Sequence, residues 1–127
     1  MQSGTAYRIA ALVAAVGVGL GAFGAHGLKE VLVRHDTVAI WHTAVLYHLV
    51  HAVVLFAMAQ VAPSQFRRGP WLALLVGILV FSGSLYVLAV TGIRWLGAIT
   101  PLGGLAFLVG WCWLAICRGA DRDIPRG

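Results

Sequence analysis

The chain has 127 residues, 61% of them apolar and only 10% charged, with a mean hydropathy of +0.91. Soluble domains carry about a quarter charged residues, so composition excludes an ordinary water-soluble fold. The net charge of +5 does not indicate nucleic-acid binding, because no basic patch is interleaved with aromatics.

Four stretches are apolar enough to cross a bilayer: 9–25 (8–26 with its flanks), 38–62, 71–93 and 96–117. The unflanked stretches contain no Lys, Arg, Asp or Glu, and a helix spans a ~30 Å hydrocarbon core with about 20 residues. The expected fold is therefore an all-α integral membrane four-helix bundle, one domain over 1–127. The first stretch follows Arg8 and has the outline of a cleavable signal peptide. Its small residues Ala10, Ala14, Gly17, Gly21 and Gly24 recur on one broad face, however, as in a packed transmembrane helix. It is read as a retained span.

Between the first two spans, Leu28, Val31 and Leu32 lie on one side of 27–36, with Lys29, Glu30 and Arg34 elsewhere. This spacing predicts a short helix in the membrane interface, with a solvated loop as the alternative. Residues 63–70 form a turn with Pro at both ends, and 92–95 a tight turn followed by Thr100-Pro101. Residues 119–127 are expected to be a polar, disordered end. An even number of spans puts both termini on one side, with Arg8, Arg67, Arg68, Arg118, Arg122 and Arg126; Lys29, Arg34 and Arg94 lie on the other. The positive-inside bias then predicts cytoplasmic termini.

The second span holds the residues with most chemistry. Trp41, Ala44, His48, His51 and Leu55 fall within about 80° of one another around a helix. Ionisable groups at membrane depth normally face the bundle interior. Counting depth at about 1.5 Å per residue brings His48 and His51, with Tyr47, level with Ser82 and Ser84 of the third span. These five residues are expected to form one buried polar cluster, serving as interhelical hydrogen-bonding glue or as a ligand site. The fourth span offers Phe107 at that depth and no polar group. His26 and His42, near Trp41, form a second, shallower set and a candidate outer metal site; His35 is expected to be solvated.

The competing chemistries are limited. No carboxylate or thiol is placed to complete a metal shell around the imidazoles, and spans three and four supply no second histidine for a haem. All four acids lie outside the spans, unlike the embedded carboxylate of a proton-coupled exporter. No nucleophile–base pair is evident, so no catalytic residue is assigned. Cys112 and Cys117, five apart, point to different sides of a helix and are expected to be free, buried thiols.

Several motifs carry a family resemblance. They are Gly21-Ala22-Phe23-Gly24-Ala25-His26-Gly27-Leu28, then Trp41-His42-Thr43-Ala44 with Tyr47-His48 and His51-Ala52, then Phe81-Ser82-Gly83-Ser84-Leu85-Tyr86, and then Gly97-Ala98-Ile99-Thr100-Pro101-Leu102-Gly103-Gly104. With them the chain resembles domain-of-unknown-function family 423 over roughly residues 5–118. These are small bacterial inner-membrane proteins, and eukaryotic transmembrane protein 256 is similar to them. The resemblance implies a compact helical membrane protein, retains the first helix, and supplies no catalytic role. The leading expectation is a non-enzymatic accessory or interaction component of the inner membrane, with the lipid bilayer as its surroundings. A second copy or a larger membrane complex is its expected partner, and no cofactor is required. The alternative is a small-solute, metal or proton-handling protein using His48 and His51, with Tyr47, His26 and His42 in support, and a metal ion as its only candidate cofactor.

Overall fold

The computed structural model describes residues 3–122, with side chains through Cys117. Four apolar helical spans account for most of it. The first is α1 (Ser3–Ala25), joined through α2 (Lys29–Arg34) to the second, α3 (Val38–Ala59). The third combines α4 (Arg68–Gly77), a π-helical segment (Ile78–Ser82) and α5 (Gly83–Thr91). The fourth opens with a 3₁₀ segment, Arg94–Ala98, and continues as α6 (Thr100–Arg122). Among the described residues there is no strand.

The boundaries follow from local chemistry. α1 starts six residues before Ile9, because its first turn is Ser3-Gly4-Thr5, whose free N–H groups water can satisfy; Arg8 is exposed on its surface. Gly69-Pro70 does not delay α4, since proline is tolerated within a first helical turn where its N–H has no partner to lose. Gly92 ends α5 in the left-handed conformation, φ 71°, with its N–H bonded to the Leu88 carbonyl. Of the two readings of 27–36 the helix is the one formed, with Leu32 buried and Lys29, Glu30 and Arg34 exposed. The polar end expected from 119 is helical through Arg122; residues 123–127, and the side chains of Arg118, Arg122 and Arg126, lie outside the described set.

Each span packs chiefly on its neighbour in sequence, α1 along α3 and α6 along α4 and the π segment. In lipid, burying apolar surface gives little drive for helices to associate, so close backbone approach and dispersion must supply it. The interfaces are built accordingly. A Cβ on Gly24 would strike the Trp41 indole, and one on Gly17 would meet Leu49 Cδ2 and His48 Cδ2 at 2.7 and 3.2 Å. Between the third and fourth spans, Phe107 fills the space left by Gly77, and Leu74 the space left by Gly110. Gly103 rests directly on the Phe81 backbone, within the π segment. Trp71, Leu74, Leu55, Ala6 and Ala10 are completely buried at the centre of the larger apolar core.

The loop connecting the first two spans is tied to the third. Thr37 Oγ1 donates to the Ala89 carbonyl at 2.7 Å, and the same oxygen lies 3.3 Å from His35 Nδ1. His35 is thus an anchored residue and not a solvated one, packed over Gly92. The turn it belongs to holds Asp36 at φ 54°.

The helix contacts generate a matched pair of expectations. Gly103→Ala forces the Phe81 backbone aside and should lower stability in detergent by roughly 1–3 kcal/mol. Gly83→Ala, whose Cβ would meet nothing within 4 Å, should be neutral or stabilising by up to about 1 kcal/mol. Thermal or SDS-induced unfolding followed by circular dichroism separates the two.

Candidate functional site

The inward stripe of α3 is the one its spacing predicts: Trp41, Ala44, His48, His51 and Leu55 are all buried. At each level the stripe is hydrogen-bonded to another span. The Trp41 indole N–H donates to the Leu20 carbonyl of α1 at 3.1 Å. The Ser82 hydroxyl donates to the Ala44 carbonyl at 2.8 Å, and the Trp71 indole N–H to the Leu55 carbonyl at 3.0 Å. α3 is therefore the post to which the other spans are fastened.

His48 and His51 occupy the middle of this ladder, and their partners determine their chemistry. His48 Nε2 lies 2.9 Å from the Val13 carbonyl of α1, and its Nδ1 lies 3.0 Å from the Tyr86 hydroxyl of α5. A carbonyl only accepts, so Nε2 carries the proton; in the neutral ring Nδ1 then accepts from Tyr86. Removal of a side chain at Gly17 makes room for this ring against α1. His51 is arranged the opposite way. Its Nδ1 lies 2.8 Å from the Tyr47 carbonyl one turn earlier, and its Nε2 accepts the Trp111 indole N–H at 3.2 Å. An indole nitrogen only donates, so His51 is neutral with its proton on Nδ1. Phe107 stacks on the same ring, centroids 3.8 Å apart and planes 17° from parallel.

The five residues expected as one polar cluster do not form one. Ser82 belongs to the Ala44 bond. Ser84 donates to the Phe81 carbonyl at 3.0 Å and, its single proton thereby used, accepts from Thr100 Oγ1 at 2.8 Å. Tyr47 is 40% exposed, its ring 4.5 Å from Phe81. The cause is helical geometry: residues level in depth still point around different arcs, and each polar group takes the nearest backbone carbonyl. Among the described residues no buried side-chain nitrogen or oxygen lacks a hydrogen bond.

The outer set is not buried. His26 and His42 are both exposed, while Trp41 turns inward. Among the described residues no three His, Cys, Asp or Glu side chains are grouped to hold a metal ion. Cys112 and Cys117 are free, but Cys112 is exposed and Cys117 only half-buried, so the expectation of buried thiols is corrected. Packing puts Phe107 and Gly110 on the inner face of α6, which leaves Cys112 on the outer one.

Trp111 is the partner that depth counting missed. It lies one turn beyond Phe107 on the same side of α6, and its N–H is a donor that needs an acceptor inside the bilayer. That spacing was the available signal. Tyr86 and Trp71 carry the same mark, an amphipathic aromatic within a span.

This arrangement defines a class: a multi-span helical membrane protein whose buried histidines bond to neighbouring helices. The family follows from comparison with known sequences. A model described as "Protein of unknown function (DUF423)" matches residues 20–104, and the chain belongs to that family. It is 47% identical over 113 residues to the UPF0382 membrane protein YwdK of Bacillus subtilis, covering 85% of this chain and 90% of that one. It is 44% identical over 110 residues to the UPF0382 membrane protein SSP2132 of Staphylococcus saprophyticus, covering 85% and 91%. No solved structure matches.

The opposed bonding yields a spectroscopic expectation. Nitrogen-15 NMR of the labelled protein in lipid should show His48 protonated at Nε2 and His51 at Nδ1. Trp111→Phe should release His51 from its fixed tautomer and cost about 0.6 kcal/mol, the average of such membrane hydrogen bonds. Two identical tautomers would contradict the assignment.

Proposed function

We propose that this protein is a non-enzymatic component of the inner membrane that acts by lateral association, with its histidines serving as structural pins. The observation that carries the reading is the state of α1. Only 11% of its most apolar stretch is buried, against 44% for the third span. Its inner face of Ala6, Ala10 and Gly17 is used by α3. A second set of small residues, Gly4, Ala15 and Ala22, is exposed within about 20° of arc on the opposite side. Small residues let helix backbones approach closely in lipid, and this set is left exposed by the described residues. A second copy or another membrane protein is the occupant that such a face suits.

The bonding of the imidazoles supports the same reading. Both ring nitrogens of His48 and His51 are engaged by protein groups, leaving no lone pair for a metal. Glu30 and Asp36 lie in the loop, outside the apolar spans. The metal- and proton-handling alternative gains no support from this geometry.

The arginine distribution favours cytoplasmic termini, with α2 on the outer face. An impermeant maleimide applied to intact cells should label Glu30→Cys, and exclusive labelling after lysis would reverse the orientation.

Association is tested with Ala15→Leu, which places a branched side chain on the small outward face. Cross-linking in native membranes and mass spectrometry of detergent-free particles should show higher-order species in the wild type. In the variant their apparent affinity should fall about tenfold, roughly 1.4 kcal/mol, with unchanged helicity. A wild-type protein that is monomeric in both settings overturns the proposal.

A further inference from the structure

The second and fourth spans do not close on each other along their whole length. Between them lies a groove of about 620 Å³, floored by His51 and Phe107, walled by Tyr47, Phe81 and Trp111, and open at Gly104. That volume falls within the ~300–1,000 Å³ of small-molecule sites. Its lining is almost wholly apolar, and its mouth is on the membrane-facing surface, since Tyr47, Leu105, Leu108 and Trp111 are all exposed there.

The polar groups lining the groove are unequal. His51 Nε2 and the Trp111 N–H are committed to each other, and His51 Nδ1 to the Tyr47 carbonyl. The Tyr47 hydroxyl has no hydrogen bond among the described residues. Tyr47 lies nine residues into α3 from Val38, about 13 Å below that end of the helix. A hydroxyl at this depth has no water to bond to, and leaving it unmatched costs on the order of 1–3 kcal/mol. One unused donor, set beside flat aromatic faces, selects a flat apolar ring with an acceptor on its edge. An acyl chain offers no acceptor.

We propose that this groove binds the ring of a lipid-soluble quinone, with the Tyr47 hydroxyl donating to a ring carbonyl and the ring lying against Phe81, Phe107 and Trp111. The hydrophobic tail leaves past Gly104 into the bilayer. The proposal concerns binding alone and stands independently of lateral association.

The test uses the full chain in phosphatidylcholine nanodiscs, titrated with decylubiquinone, whose ring quenches nearby tryptophan fluorescence. The wild type should show a saturable phase above the linear collisional background. Trp111→Phe should remove most of that phase. Tyr47→Phe, which keeps the aromatic wall, should weaken the apparent affinity about three- to tenfold, as expected for one lost hydrogen bond. Gly104→Leu should abolish saturation by filling the mouth; the Gly104 Cβ itself would meet only the Phe81 ring, at 3.9 Å. Circular dichroism and melting of each variant establish that it is folded. Quenching that stays linear and equal in the wild type and Tyr47→Phe overturns the proposal. So does a cross-linked dimer joined through Leu105→Cys or Leu108→Cys, with Tyr47 intact, whose yield decylubiquinone leaves unchanged.

Discussion

In hydrocarbon a polar group has only the protein to bond with, and this constraint organises the molecule around α3. An imidazole brings two nitrogens, one donor and one acceptor when neutral, and each must find its complement within the protein. His48 takes a carbonyl from α1 and a hydroxyl from α5; His51 takes its own helix's carbonyl and an indole N–H from α6. Trp41, Trp71 and Ser82 extend the pattern, each aimed at a backbone carbonyl across an interface. Because every such bond crosses between helices or locks a rotamer, together they specify which spans meet and at what height. Dispersion between close-packed backbones then supplies the adhesion that apolar burial cannot give in lipid.

The two kinds of contact depend on each other. The ring of His48 reaches the Val13 carbonyl only because Gly17 lacks a side chain, and Trp41 reaches Leu20 over the space left at Gly24. The π segment is a further accommodation. Its wider turn sits where Gly103 touches the Phe81 backbone, and where Ser84 and Thr100 bond together beside the Phe81 carbonyl. π-turns inside α-helices commonly occur at functional positions, and this one contributes Phe81 to the wall of the groove.

Paired orientation of two histidines three residues apart has a functional consequence. A neutral ring held by an obligate donor on one nitrogen and an obligate acceptor on the other is a fixed strut. His51 meets both conditions, and its stacking on Phe107 reinforces them. What is left free at the same depth is the Tyr47 hydroxyl, and the groove's capacity for recognition therefore rests on that one group.

The apolar runs by themselves determined the number of spans, their approximate limits and the inward stripe of α3, because hydrocarbon thickness and a 3.6-residue period act on each segment separately. The burial of Leu32 on α2 followed from the same local periodicity. The sequence did not reveal that Ser82 and Ser84 leave the histidines for other partners, that Trp111 caps His51, or that Cys112 faces outward. Those outcomes depend on rotation of one helix about its axis relative to the next. That angle is set only when glycines, aromatic rings and carbonyls from distant parts of the chain are packed together, so the tertiary structure alone decided them.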